Sequence, residues 1–390
     1  MSKIKKGKYS YYRSQITLPD GTKKDITAKS KAELKEKETA IRAKHKMRLA
    51  AGYMPTVAEY TIKQLSLIKP TVSRATYVGY ESKARNYIVP ALGNMPLSDV
   101  TMDDVRTALQ PMETMSSSSY RLTHSLLMRI FTAAKQNRLI SDNPMDGVRC
   151  KGGKPKKDIP SLADDQIKVL LEAVKGLSVE TFVLLGLYAG LRREEILALQ
   201  WDCVELDGDT PHIQIRRAWR IEHNRPVVSE VLKTPAAKRD IPIPAVLADH
   251  LRLIKKRSKS DYVVANRTGS SLSGSQWREL WKKVTVRTSE PHVYYRKENG
   301  KSVKHTVIPK LGEAIPHNPR VICSMDFHVT PHQLRHTYIT NLIYSGADPK
   351  TVQYLAGHEN SKITMDIYAS VKYNRPEDLA HAINRAFDAA

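Results

Sequence analysis

The sequence predicts a multidomain protein. A small β-sheet with one helix comes first, an all-α domain follows, and a mixed, mainly-α (α+β) domain fills the rest of the chain. Three observations predict this order. An Asp20-Gly21 pair, a good two-residue hairpin turn, sits between β-patterned stretches near the start. Apolar residues then recur at helical spacing from Thr56 to about Val148. Finally, a Gly-, Pro- and Lys-rich stretch at residues 150–160 separates that region from one that mixes helical and alternating patterns. At 390 residues the chain is also too long for one ordinary core.

In the first segment, Tyr9, Tyr11, Ile16 and Leu18 lie in a strand-like stretch, and residues 23–27 form the return strand. Residues 30–49 read as a helix, with Ser30 and Glu33 spaced for a capping box. The first 50 residues hold 15 Lys/Arg against five Asp/Glu, so they carry +10 of a formal net charge of +23. A chain this basic points to a polyanionic partner, with nucleic acid first among candidates. The patterned flanks of Asp20-Gly21 favour a folded module over a solvated basic tail.

In the second segment, residues 61–69 stop at Pro70, and residues 73–88 carry Tyr77, Tyr80, Ala84 and Tyr87 on one face. Thr101 opens another helix, with Asp103 and Asp104 in its dipole-favoured first turn. Ser116 to Ser119 precede a longer one carrying Leu122, Leu126, Ile130 and Ala133. Asn143-Pro144 ends a domain of about four helices. The expected boundaries are residues 1–52, 56–150, a linker at 151–160, and 161–390.

In the third segment, helices are expected at residues 164–174, 181–187, 245–256, 274–284, 332–345, 349–355 and 376–387. A strand is expected at 212–217, and a strand, turn and strand at 232–244. Asn299-Gly300 signals a hairpin within residues 293–307. That hairpin is basic, and it either touches DNA or a partner subunit or is a variable surface insertion.

Cys150, Cys203 and Cys323 are odd in number and far apart, which suggests neither a disulfide framework nor a zinc site. A reducing, cytoplasmic setting is expected. The N-terminus has no apolar run of the secretory kind, and the most apolar stretch, residues 181–190, is too short to span a membrane.

Four short stretches of the third segment stand out together. They are Gly190-Leu191-Arg192 with Glu195 behind it, and Lys233-Thr234 followed by Arg239 and Ile241-Pro242-Ile243. The others are His332-x-x-Arg335-His336-Thr337, and Gly357-His358 with Tyr368 ten residues on. Taken singly, each has an ordinary reading as a helix-end cation, a surface lysine or a core tyrosine. In combination and in this order they resemble the tyrosine recombinase (phage integrase) family. Pro90-Ala91-Leu92-Gly93 and Asn143-Pro144 are similar to that family's core-binding region. The N-terminal layout looks like the integrases of temperate phages and conjugative transposons, so the likeness covers nearly the whole chain.

The resemblance implies a site-specific recombinase that cuts and rejoins DNA through a 3′-phosphotyrosyl link. Tyr368 would be the nucleophile. Arg192 and Arg335 would neutralise the phosphate, His358 would donate to it, and Lys233 would protonate the departing 5′-oxygen from a hairpin tip. His332 would assist proton transfer or brace the phosphate. Two guanidiniums suit a five-coordinate phosphorus because each is permanently charged and planar. Nearby cations would favour the phenolate. No metal cluster and no Gly-rich phosphate loop is evident, so no cofactor is expected. Glu195 reads as a brace for a neighbouring cation, and Arg193 and His336 as structural.

The implied partners are double-stranded DNA with core and arm sites, further copies forming a tetramer, an excision factor and a host DNA-bending protein. The apolar stripe Leu379, Ile383 and Phe387 either packs on its own domain or, as in the family, docks on a neighbouring protomer. Three alternatives share the fold or the chemistry: a chromosome-dimer-resolving recombinase, a type IB topoisomerase, and a catalytically silent DNA-binding protein. The sequence does not distinguish a phage from a conjugative element.

Overall fold

A computed structural model describes residues 2–6, 9–17, 23–50, 53–155, 160–222, 225–232, 234–315 and 318–373. The Asp20-Gly21 turn, Lys233 and the expected tail helix lie outside these residues. The chain divides into two compact units, Met1–Asp158 and Ile159–Ala390.

The first unit opens with an antiparallel three-stranded sheet, Ser2–Lys6, Tyr9–Thr17 and Lys23–Ala28, in that spatial order. The strand Ser2–Lys6 was not expected from the sequence. Helix Lys31–Ala50 covers the sheet, and Ile16, Ile26, Ala28 and Leu34 form a small core. The Ser30 hydroxyl accepts the Glu33 N–H at 3.1 Å, while the Glu33 carboxylate accepts from Lys29 N–H at 2.9 Å. The expected box therefore closes one residue early.

Helices Val57–Ile68, Arg74–Lys83, Met102–Leu109 and Ser117–Gln136 follow, around a core that includes Ile88, Leu126, Ile130 and Phe131. Each begins at a Ser or Thr whose side chain accepts an N–H from the first turn. The third helical pattern does not stop at residue 88. It widens into a π turn, Ala84–Ile88, and continues through Val89–Leu92. Pro90 is accommodated because it sits in the first turn of that last piece, where an N–H has no helical partner.

The second unit mixes helices with short antiparallel strands around one large core. Its central helix is Pro331–Tyr344, buried around most of its circumference. Two bonds stitch the start of the unit to that helix: Gln333 Nε2 donates to Pro160 O at 3.0 Å, and Leu162 N–H donates to Thr337 Oγ1 at 2.9 Å. Helix Glu180–Tyr188 packs on it, Asp164–Val174 and Ala245–Lys255 pack on Glu180–Tyr188, and Gly274–Thr285 packs on Asp164–Val174. Phe182, Trp277 and Trp281 join two of them through ring contacts of 4.6 to 5.7 Å.

Strands Val204–Glu205, His212–Ile215 and Arg239–Pro242 form one sheet. The expected strand, turn and strand at residues 232–244 is corrected to a single strand, Arg239–Pro242, preceded by a 3-10 turn at Pro235–Ala237. Pro235 has no N–H for a ladder and its fixed φ suits the first position of such a turn. The hairpin of this region is the unforeseen pair Ala218–Glu222 and Arg225–Ser229. The hairpin signalled by Asn299-Gly300 is present as His292–Glu298 and Lys301–Val307. Both turn residues have positive φ, +49° and +77°.

Candidate active site

Arg192 is placed by a sharp exit from helix Glu180–Tyr188. Gly190 makes the turn with φ +61°, and a Cβ there would clash with the edge of the Tyr338 ring. Leu191 then buries, and Arg192 caps the one-turn helix Arg193–Ile196. The Glu195 carboxylate reaches back, taking the Arg192 N–H at 2.9 Å and its Nη1 at 2.7 Å.

The other anchor is the end of helix Pro349–Ala356, which stops at Gly357 in the left-handed conformation, φ +59°. Carbonyls at a helix C-terminus lack helical partners and carry partial negative charge. Here three successive carbonyls each take a guanidinium. Leu355 O accepts from Arg239 Nε at 2.8 Å, Ala356 O from Arg335 Nη2, and Gly357 O from Arg192 Nη2 at 2.7 Å. Arg335 also donates to Gly190 O at 2.6 Å, which ties the cradle to the turn before Arg192.

Arg335 is only 1% exposed. Burial, then the like charge of Arg192, pulls its pKa down to about 9, which still leaves it a cation at neutral pH. Burial pushes Glu195 up, but Arg239 above all, then Arg192 and Arg335, overcome this and hold its carboxyl at about 2. Among the described residues, three guanidiniums around one carboxylate leave two positive charges without a carboxylate partner.

His358 follows the carbonyl fan directly. Its Nδ1 lies 2.9 Å from the hydroxyl of buried Thr364. Burial, then Arg335, Arg192, Arg239 and His332, press its pKa down to about 4, so its ring is neutral at neutral pH. His332 stands exposed one turn before Arg335, at the rim of the same cluster. Tyr368 is half-buried on helix Ser361–Tyr373, which packs on the helices that carry Arg335 and lead to His358. Its ring joins the small core of Tyr338, Ile339, Ile343, Val352, Ala356 and Val371. The structure thus gathers Arg192, Arg335, His358 and His332, and sets Tyr368 on the adjoining helix.

A cavity of about 1110 Å³ lies elsewhere in this unit. It is an apolar groove lined by Ile167, Leu187, Tyr188, Pro242, Leu342 and Tyr354, among others, and holds none of the expected site residues. The guanidinium cluster, with Arg192 32% exposed, is the site whose charge calls for a ligand.

Residues 316–375 match the model of the phage integrase family, a span that contains His332, Arg335, His358 and Tyr368. Residues 56–112 match the model of the phage integrase N-terminal SAM-like domain. Over these two stretches the chain is similar to the phage integrase family.

A tyrosine recombinase XerC-like protein of Caldanaerobacter subterraneus subsp. tengcongensis is 24% identical over 98% of this chain and 98% of its own length. Among solved structures, the Tn1549 transposon integrase in complex with a circular intermediate DNA superposes with a TM-score of 0.64 at 19% identity, covering 85% of this chain and 99% of that one. A lambda integrase tetramer bound to a Holliday junction does so with a TM-score of 0.55 at 16% identity, covering 92% and 95%. These two establish that the chain shares their fold.

Thr364 gave no signal in the sequence. Arg239 was named there only as part of the Lys233-Thr234 motif, with no role of its own, although a signal existed: it shares the apolar phase of its strand with buried Ile241, and an arginine on that phase must find buried partners. Glu195, read as a brace, proves to be one, bridging Arg192 and Arg239.

Proposed function

We propose that this protein is a site-specific tyrosine recombinase that integrates and excises a mobile element, using Arg192, Lys233, His332, Arg335, His358 and Tyr368. The observation that carries the reading is the pair of positive charges on the carbonyl fan without a carboxylate partner among the described residues. A phosphodiester has one negative charge, and attack by an oxyanion raises it to two at the five-coordinate phosphorus. The cradle is thus matched to the transition state more closely than to the ground state.

In the proposed step the Tyr368 phenol oxygen bonds to phosphorus as the bond to the 5′-oxygen breaks. The phenol proton leaves toward His332 or solvent, and Lys233 gives a proton to the 5′-oxygen. Arg192 and Arg335 hold the non-bridging oxygens. With its Nδ1 accepting from Thr364, neutral His358 carries its proton on Nε2 and donates to the same phosphate. The 3′-phosphotyrosyl bond keeps the phosphodiester energy, and a 5′-hydroxyl from a second strand reverses the step. Neither metal nor ATP has a part in it.

We assign residues 1–52 to arm-type DNA sites, 56–150 to the core site, 151–160 to a linker and 161–390 to catalysis. On the helical domain, cation and ring pairs such as Lys83 over Tyr87 at 5.0 Å and Lys69 over Tyr77 at 5.6 Å supply a basic, aromatic surface that suits DNA. By analogy with the lambda integrase assembly, four copies act together, and an excision factor and a DNA-bending protein complete the reaction.

The test is cleavage of a nicked core-site duplex in EDTA without nucleotide. A protein–DNA adduct with a free 5′-hydroxyl is expected. A requirement for divalent metal, or linkage through a 5′-phosphate, overturns the mechanism.

A further inference from the structure

We infer that Arg239 is a positioning residue for strand cleavage, setting Arg192 on the scissile phosphate through the shared carboxylate of Glu195. The inference rests on the recombinase reading, in which Arg192 touches a non-bridging oxygen.

The Arg239 side chain is 0% exposed, so it does not reach DNA itself. Its guanidinium is used nearly to capacity. Nη1 and Nη2 grip Glu195 Oε1 and Oε2 at 3.0 and 2.9 Å. Nε donates to Leu355 O at 2.8 Å, and Nη1 also donates to Ala237 O at 2.9 Å. Two parallel bonds to one carboxylate fix its plane as well as its place. The opposite lone pairs of that carboxylate are the ones that hold the Arg192 backbone and Nη1. A single carboxylate is thus a rigid coupler between a buried arginine and the half-buried one at the site.

A buried ion pair kept only for stability could end anywhere. This one ends on the site at every bond. Leu355 begins the carbonyl fan whose third member, Gly357, takes the other end of Arg192. Ala237 belongs to the turn that follows the Lys233-Thr234 segment. Gly357 packs against the guanidinium so closely that a Cβ would lie 2.9 Å from Nη1. Lysine cannot replace the fork, because one ammonium does not span the carboxylate and two carbonyls.

The experiment compares wild type, Arg239→Lys and Arg192→Ala in single-turnover cleavage of two duplexes. One has an ordinary scissile phosphodiester. In the other a methylphosphonate replaces one charged non-bridging oxygen by a methyl group and so needs one cation fewer. Both variants are expected to lose about 10²-fold on the ordinary duplex. Both deficits are expected to shrink by about tenfold on the methylphosphonate, with noncovalent DNA binding retained.

If the Arg192→Ala deficit shrinks and the Arg239→Lys deficit does not, Arg239 serves the fold alone and the inference fails. If the Arg192→Ala deficit itself does not shrink, the recombinase reading of Arg192 fails first. Thermal unfolding accompanies each variant. Should Arg239→Lys lose cooperative melting, Glu195→Gln breaks the same bridge from the other side with no change of shape, and the same rescue is expected of it. Loss of cooperative folding in both overturns the inference.

Discussion

Arg335 and His358 show how far burial reshapes side chains whose sequence motif is ordinary. His358 is held neutral down to about pH 4, against an ordinary value of 6.5, by burial and then by the surrounding arginines. The sign follows from linkage. Between those two values the unfolded chain binds a proton that the folded chain refuses, so stability falls as pH drops from 6.5 to about 4. Glu195, held at about 2 against 4.5, adds a second loss below pH 4.5. Melting temperatures of wild type and His358→Gln across this range check the first effect. The variant is expected to show the shallower slope between pH 6.5 and 4, and equal slopes contradict the assignment.

Thr364 permits a second residue-scale prediction. Its hydroxyl fixes the His358 ring, and an orienting hydrogen bond of this kind is worth about 1 kcal/mol. Thr364→Val is therefore expected to slow cleavage about fivefold while leaving DNA affinity unchanged. A variant as fast as wild type removes Thr364 from the site. At this scale the sequence was most informative where a motif joined several residues, as with Arg192, Arg335 and His358. It was silent on Thr364, whose role exists only because a helix turn brings it beside His358.

The decisive element is the end of helix Pro349–Ala356, where backbone carbonyls hold three cations. Gly357 makes that end possible, since a non-glycine residue in the left-handed conformation costs roughly 1–2 kcal/mol. Gly357→Ala is expected to lower both stability and cleavage, because its Cβ also presses on Arg239. Gly312 is the control: it has φ +85° and nothing within 4 Å of an added Cβ, so Gly312→Ala carries the backbone cost alone. Comparable cleavage by the two variants would contradict the role given to the fan.

Elements with strong local signals were legible. Asp164–Val174 matched the expected helix at both ends, and Asn299-Gly300 located its hairpin. Elements with weak signals were not. Strand Arg225–Ser229 is interrupted by Pro226, so the alternating pattern of its hairpin was hidden. The carbonyl fan could not be read at all, because backbone groups leave no mark in a sequence.

For the whole molecule, charge is the organising quantity. The first 50 residues carry +10 of the +23, and the described part of them folds as a sheet backed by a helix. Deleting residues 1–52 is expected to leave cleavage of a short core duplex intact. Affinity for a longer duplex bearing arm sites should fall, with a shallower dependence on salt because fewer phosphates are neutralised. Binding titrations at several salt concentrations check this, and an unchanged slope would contradict it. The multidomain plan was legible because composition changes sharply at residues 150–160, and the chain divides between Asp158 and Ile159. The proposed assembly of several copies has no such mark in the sequence, since the apolar stripe at Leu379, Ile383 and Phe387 suits packing on its own domain as well as docking on a neighbour.

The central claim is that Tyr368 attacks the phosphate. The most direct measurement traps the covalent adduct on a nicked core-site duplex, digests the protein and identifies by mass spectrometry the peptide that retains nucleotide. The peptide containing Tyr368 is expected to carry it, with no adduct from Tyr368→Phe. An adduct on any other residue, or one that persists in Tyr368→Phe, would contradict the account.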